Sequence, residues 1–127
     1  MNTNNVISFE GAVDLTGKEY LAVKMTATGI DLAASGDKVI GTILRGQIKR
    51  EDNVYLGQPV AVQLKAGSVH YVKLGIVAGS LAKGAGLILD AANAGHLVAS
   101  ETNPIAQLVQ AVTGAQTLGG VAEAVFI

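Results

Sequence analysis

Short apolar runs separated by Gly or Asx residues dominate the chain. Tyr20–Thr26 reads as a strand, followed by turn character at Thr28-Gly29 and a short strand at Ile30–Leu32. Val39–Leu44 is rich in β-branched residues. Val60–Leu64 is a further strand, with Pro59 at its start, where the missing N–H is tolerated. Ser68–Leu74 alternates loosely and reads as another. Leu87–Asp90 and His96–Ala99 flank Ala91–Gly95, whose Asn and Gly favour a hairpin with positive φ at its tip. The last run, Gly120–Ile127, ends in β-formers. Turn signals recur every ~8–12 residues, the spacing of an all-β sandwich or barrel.

One segment is ambiguous. Ile105–Val112 follows an Asn103-Pro104 start signal, and its apolar positions 105, 108, 109 and 112 fit a helical stripe as well as a strand. An internal repeat favours the strand. Ile40, Ile43 and Leu44 recur as Ile105, Leu108 and Val109, each 65 positions later, and Gly29 recurs as Gly95 after 66. The final strands match at a smaller offset, so the loop before the last strand is shorter in the second half. The expected fold is all-β, with little helix: a small barrel or sandwich built from two weakly repeated β-units sharing one core. The expected organisation is an N-terminal arm over 1–16, extended in conformation, and a single β domain over 17–127. The segment 47–53, holding Lys49, Arg50, Glu51 and Asp52, reads as a self-neutralising exposed loop.

Composition sharpens this picture. Of 127 residues, 50% are hydrophobic and only 15% charged, against about 25% in an average domain. So little charge leaves too few polar groups to cover a lone monomer, and points to surface that meets another protein. The apolar residues are mostly small; aromatic residues make up only 4%, a poor supply for the stacking platforms of a binding module. The net charge of −1 gives no pull toward nucleic acid or an anionic membrane. The polar start, Met1 to Asn5, has no basic region followed by an apolar stretch, and no run approaches a membrane-spanning length, so the chain reads as a cytoplasmic product.

The usual chemistry is missing. With no Cys there is no disulfide framework, thiolate metal site or Cys nucleophile. No phosphate-binding loop or nucleophile elbow is present, and Gly79–Gly86 reads as a turn. His70 and His96 read as surface or edge histidines without a second ligand at metal spacing, and Asp90 as a turn-stabilising side chain. The ten acidic residues are dispersed. No enzyme, cofactor or metal is expected.

The repeated phrases carry a resemblance. Val23-Lys24, then Gly29-Ile30 and Leu32-Ala33, lead to Gly36-Asp37, Val39–Leu44 and Gly57–Val62. Gly86–Ala91, Ala94–Val98 and Ile105–Val109 repeat the series. Over about residues 17–127 this resembles the head decoration proteins of tailed bacteriophages. The resemblance implies a mostly β fold, a homotrimer, and a place on the outside of an assembled capsid after synthesis in the host cytoplasm. The major capsid protein would be the partner, with no direct contact to nucleic acid or membrane. The family has no catalytic residues to carry over, and the charged segment 47–53 is not matched to it. On this reading the N-terminal arm adds a strand to a capsid sheet edge, the alternative being a frayed terminus. Asn4, Val6, Ile7 and Phe9 are the expected capsid contacts. An alternative of a different class is a ligand-binding or adhesive β module on a virion or cell surface.

Overall fold

A computed structural model describes residues 6–45, 59–65, 69–115 and 117–127. These form ten strands and no helix. In chain order they are β1 (Val6–Glu10), β2 (Ala22–Thr26), β3 (Gly29–Leu32), β4 (Gly41–Arg45) and β5 (Pro59–Leu64), then β6 (Val69–Leu74), β7 (Gly86–Leu89), β8 (Leu97–Ala99), β9 (Ala106–Leu108) and β10 (Gly120–Phe126). The first five make one sheet in the order β1-β5-β4-β2-β3, and the last five a closed barrel in the order β10-β6-β8-β7-β9. The all-β fold class holds. The segment of ambiguous period is a strand only over Ala106–Leu108; beyond it Val109 N–H still donates to Glu123 O of β10 at 2.9 Å, and Val112 forms an isolated bridge with Leu81. The charged segment 47–53 and Asn4 lie outside the described residues.

The two sheets are the same object built twice. In the first, Ala22 faces Thr42, Val23 faces Leu32, Met25 faces Ile30, Ile43 faces Val62 and Ile7 faces Val62 from the other side. In the second, Gly86 faces Gln107, Leu87 faces Ala99, Leu89 faces Leu97, Leu108 faces Ala124 and His70 faces Ala124. Every strand of the first unit therefore has a partner in the second, β1 with β6 through β5 with β10, at one consistent register. Irregular backbone bonds repeat too. Ile40 N–H donates to Val23 O at 2.9 Å, as Ile105 does to Leu87 at 2.8 Å. Tyr20 N–H donates to Ile43 O at 2.7 Å, as Gly84 does to Leu108 at 2.8 Å. Each unit brings its first strand or the residue after it to its third strand by a parallel contact, Gly11 with Ile30 as an isolated bridge in the first and Leu74 with Leu97 in the second, where it closes the barrel. The bonds Ala12 N–H to Ile30 O and Gly75 N–H to Leu97 O, both 2.8 Å, secure these contacts.

The expected match of Ile40, Ile43 and Leu44 with Ile105, Leu108 and Val109 agrees with this register. The match of Gly29 with Gly95 is corrected by one position, since Ile30 corresponds to Leu97 and Gly29 therefore to His96. The reason is hairpin length. The first unit turns tightly between Thr26 and Gly29, whereas the second runs out over 91–95 before Asp90 N–H meets His96 O at 2.8 Å. Asp90 stabilises that longer turn, accepting from Ala92 N–H at 2.9 Å and Asn93 Nδ2 at 3.0 Å. Burial opposes its charge, but these hydrogen bonds win and hold its carboxyl below the usual range. Gly95 takes the positive φ expected at the tip.

Alternation puts one face of each strand inward. Leu15, Val23, Ile30, Ile43, Val60 and Val62 form the core of the first unit, with Phe9, Leu32, Ile40 and Leu64 partly buried around them. Leu74, Leu87, Leu89, Leu97, Leu108 and small residues fill the second, joined by Ala22, Ala33 and Val39 from the first unit. The buried residues thus form two clusters, the larger of which draws on both units, where the repeat led to the expectation of one shared core.

Candidate interaction surfaces

The junction uses β6 and the long hairpin of the second unit. Lys73 N–H donates to Tyr20 O at 3.1 Å, and Gln63 Nε2 to Val69 O at 3.0 Å. Gly95 is held from both sides: Ala22 N–H donates to its carbonyl at 2.9 Å and its own N–H donates to Ala33 O at 2.7 Å. A Cβ on Gly95 would stand 2.9 Å from Leu21 Cβ, so only glycine allows this approach. The rings of Tyr20 and Tyr71 meet across the same seam at 5.6 Å between centroids.

His70 lies at the centre of the seam, fully buried, which corrects its reading as a surface or edge histidine. Its Nδ1 shares a 2.8 Å hydrogen bond with Thr42 Oγ1, its ring meets Phe126 edge-on at 4.9 Å, and Nε2 has no partner among the described residues. Burial drives its pKa below the ordinary histidine value, outweighing the Lys65 and Leu64 carbonyls, which act in the opposite sense. The ring is therefore neutral near pH 7 and tethers the two units. Only the docking of the units makes position 70 dry. His96, the other histidine, sits on the hairpin with Nδ1 3.2 Å from Ala94 O. Among the described residues no group of three or more His, Cys, Asp or Glu could hold a metal ion. No helix of the described residues is long and apolar enough to cross a membrane.

Apolar side chains on the outside mark two surfaces. One is the outer face of β6 and β10, where cross-strand neighbours share a side. Tyr71 and Val121 are each about half exposed, beside Glu123, and the segment 110–112 walls a groove of about 460 Å³ against them. Leu118 lies exposed at the start of the turn into β10. The other surface is β1. Three of the expected contacts, Val6, Ile7 and Phe9, are in this strand, which pairs along its length with β5 of the same chain. The arm thus completes its own sheet over residues 6–10, where the sequence reading left it to seek a capsid sheet edge. Phe9 is partly buried on the first core, Ile7 is 47% exposed, and Val6 is half-buried. Val13 and Ile76, two residues beyond the corresponding parallel contacts, are also exposed. Sequence reasoning missed Tyr71, Ile76 and Val121; for Tyr71 and Val121 the signal was alternation, which puts them outward in β6 and β10 together with the charged Lys73 and Glu123. No protein-family model and no curated protein matches the chain.

Proposed function

We propose that this chain is a structural virion protein, a homotrimer that binds the exterior of a phage capsid and stabilises the shell by bridging subunits of the major capsid protein. The observation that carries this reading is the set of apolar side chains exposed on the outside of an otherwise well-packed pair of β-units. Tyr71, Ile76, Leu118 and Val121 face outward beyond the cores. Tyr71 and Val121 wall one groove, and exposed apolar side chains brought together in this way mark a protein–protein contact. The dispersed titratable groups support a role by area of contact over a role by chemistry. The resemblance of the repeated phrases to head decoration proteins supports the same partner. The protein is made in the host cytoplasm and works on the capsid surface, with no direct contact to nucleic acid or membrane.

Co-sedimentation with purified capsids from the same source tests the reading. The expected result is saturable binding to capsids and none to free DNA or lipid vesicles. Tyr71→Asp and Val121→Asp should each weaken it by about tenfold or more if this face is the contact. A protein that stays in the supernatant at every capsid concentration would reject the reading. The groove beside Tyr71 supports the alternative of a ligand-binding or adhesive β module, which a monomer that ignores capsids and binds a small ligand there would favour.

A further inference from the structure

The repeat makes the contact between the two units informative about contacts between chains. The joint within the chain is head-to-tail: the outer edge of β6 in the second unit docks on the start of β2 and on β4 in the first, through Lys73 with Tyr20 and His70 with Thr42. Each of these residues has a counterpart that makes no such inter-unit contact among the described residues. Lys73, Tyr71 and His70 correspond to Glu10, Ser8 and Ile7 on β1, while Tyr20 and Thr42 correspond to Gly84 and Gln107 on the second unit. Among the described residues, one chain thus carries a docking edge without its socket at one end and a socket without its edge at the other.

We infer that the edge of β1 in one copy docks on the second unit of the next copy, with Glu10 beside Lys83 and Gly84. Three observations carry this. First, the two edges differ in burial as docked and undocked copies of one surface should: His70 is fully buried, while Ile7, its counterpart, is 47% exposed. Leu21 and Thr42 are buried under the second unit, while their counterparts Ala85 and Gln107 are half-buried and exposed. Second, the charges complement each other. Within the chain Lys73 bonds to the residue after Glu19; between chains the same two positions hold Glu10 and Lys83, both exposed and opposite in sign. Third, the one part of the joint that could not be reproduced has a substitute. The first unit's short hairpin could not reach Gly86 as Gly95 reaches Ala22. Gly86 N–H instead donates to the chain's own Glu101 Oε2 at 2.7 Å, so that donor needs nothing from a neighbour.

A head-to-tail joint of this kind closes into a ring when its rotation permits. In the homotrimer of the preceding reading, from which only the copy number is taken, six β-units would alternate around the ring. The partner is a second copy of this chain, and capsid plays no part in the joint.

Sedimentation-equilibrium measurement of the free protein tests this by charge exchange. Glu10→Lys and Lys83→Glu should each weaken self-association by about tenfold, and the double exchange should restore it to within about twofold of the parent. Circular dichroism checks that each variant folds. Should a reversal unfold the chain, Glu10→Gln and Lys83→Gln replace it, with a smaller loss expected. An oligomer that ignores the single exchanges, or a double exchange that fails to restore it, would overturn the joint while leaving trimer and capsid binding intact. A protein that is monomeric at every concentration would overturn the joint and the trimer. Capsid co-sedimentation stands or falls separately.

Discussion

The first five strands and the last five share a register but not a set of core residues, and the exchanges between them compensate. Where the first unit has Gly11 and Gly41, the second has Leu74 and Ala106; where the first has Val60 and Val62, the second has Ala122 and Ala124. Volume removed from the last strand is returned at the closing and fourth strands. Cores tolerate this when total volume and pattern are kept. The units differ more at their edges. The second closes fully, extends the 91–95 hairpin and buries residues of both units in one cluster. The first lends its small residues Ala22 and Ala33 to that cluster and keeps a smaller core of its own. Similar folds with unequal duties imply unequal responses to the same change.

Truncating matched core positions should give the largest effect. Ile30→Ala and Leu97→Ala remove fully buried side chains at equivalent positions, each costing about 2–5 kcal/mol. Hydrogen exchange should tell them apart. Ile30→Ala is expected to loosen mainly β1–β5, whereas Leu97→Ala should loosen both units, because its cluster contains Ala22, Ala33 and Val39. Equal, global loosening by both would show one undivided core instead of two joined ones.

Filling one site and emptying its counterpart comes next. A Cβ at Gly41 would collide with the Gln63 carbonyl, a backbone atom that cannot swing aside, while Ala106 accommodates its Cβ fully buried. Gly41→Ala should cost about 1–3 kcal/mol, and Ala106→Gly about 1 kcal/mol, in denaturant unfolding. Reversed magnitudes would mean the strands are not equivalent. Gly95→Ala combines an unfavourable positive φ with the 2.9 Å approach to Leu21, and should cost about 1–2 kcal/mol. Its signature is lost protection at Ala22 N–H, which Gly95 O accepts.

The smallest expected effect concerns pH. His70 has a lowered pKa in the folded chain, so the unfolded chain binds its proton first as pH falls. The stabilisation is complete above the ordinary histidine pKa of about 6.5 and is lost as pH drops below it toward the folded value. The melting temperature should therefore fall between pH 7 and pH 5, and His70→Leu paired with Thr42→Val should flatten that fall. An unchanged slope in the double variant would assign the dependence to other groups.

Most of the strands were legible because alternation and Gly or Asx punctuation are local signals. The repeat of Ile40, Ile43 and Leu44 as Ile105, Leu108 and Val109 was legible because equal registers demand equal spacing. Alternation also exposes Tyr71 and Val121 once β6 and β10 are known to be neighbours, but that pairing is not local. Sequence by itself determined an all-β chain of two similar units with a surplus of apolar residues. Tertiary structure alone decided that β1 pairs with β5, that His70 is dry, and that a longer hairpin clamps one unit to the other. Those outcomes depend on which strand edges meet, and edge hydrogen bonds leave no periodic trace in the residues that make them.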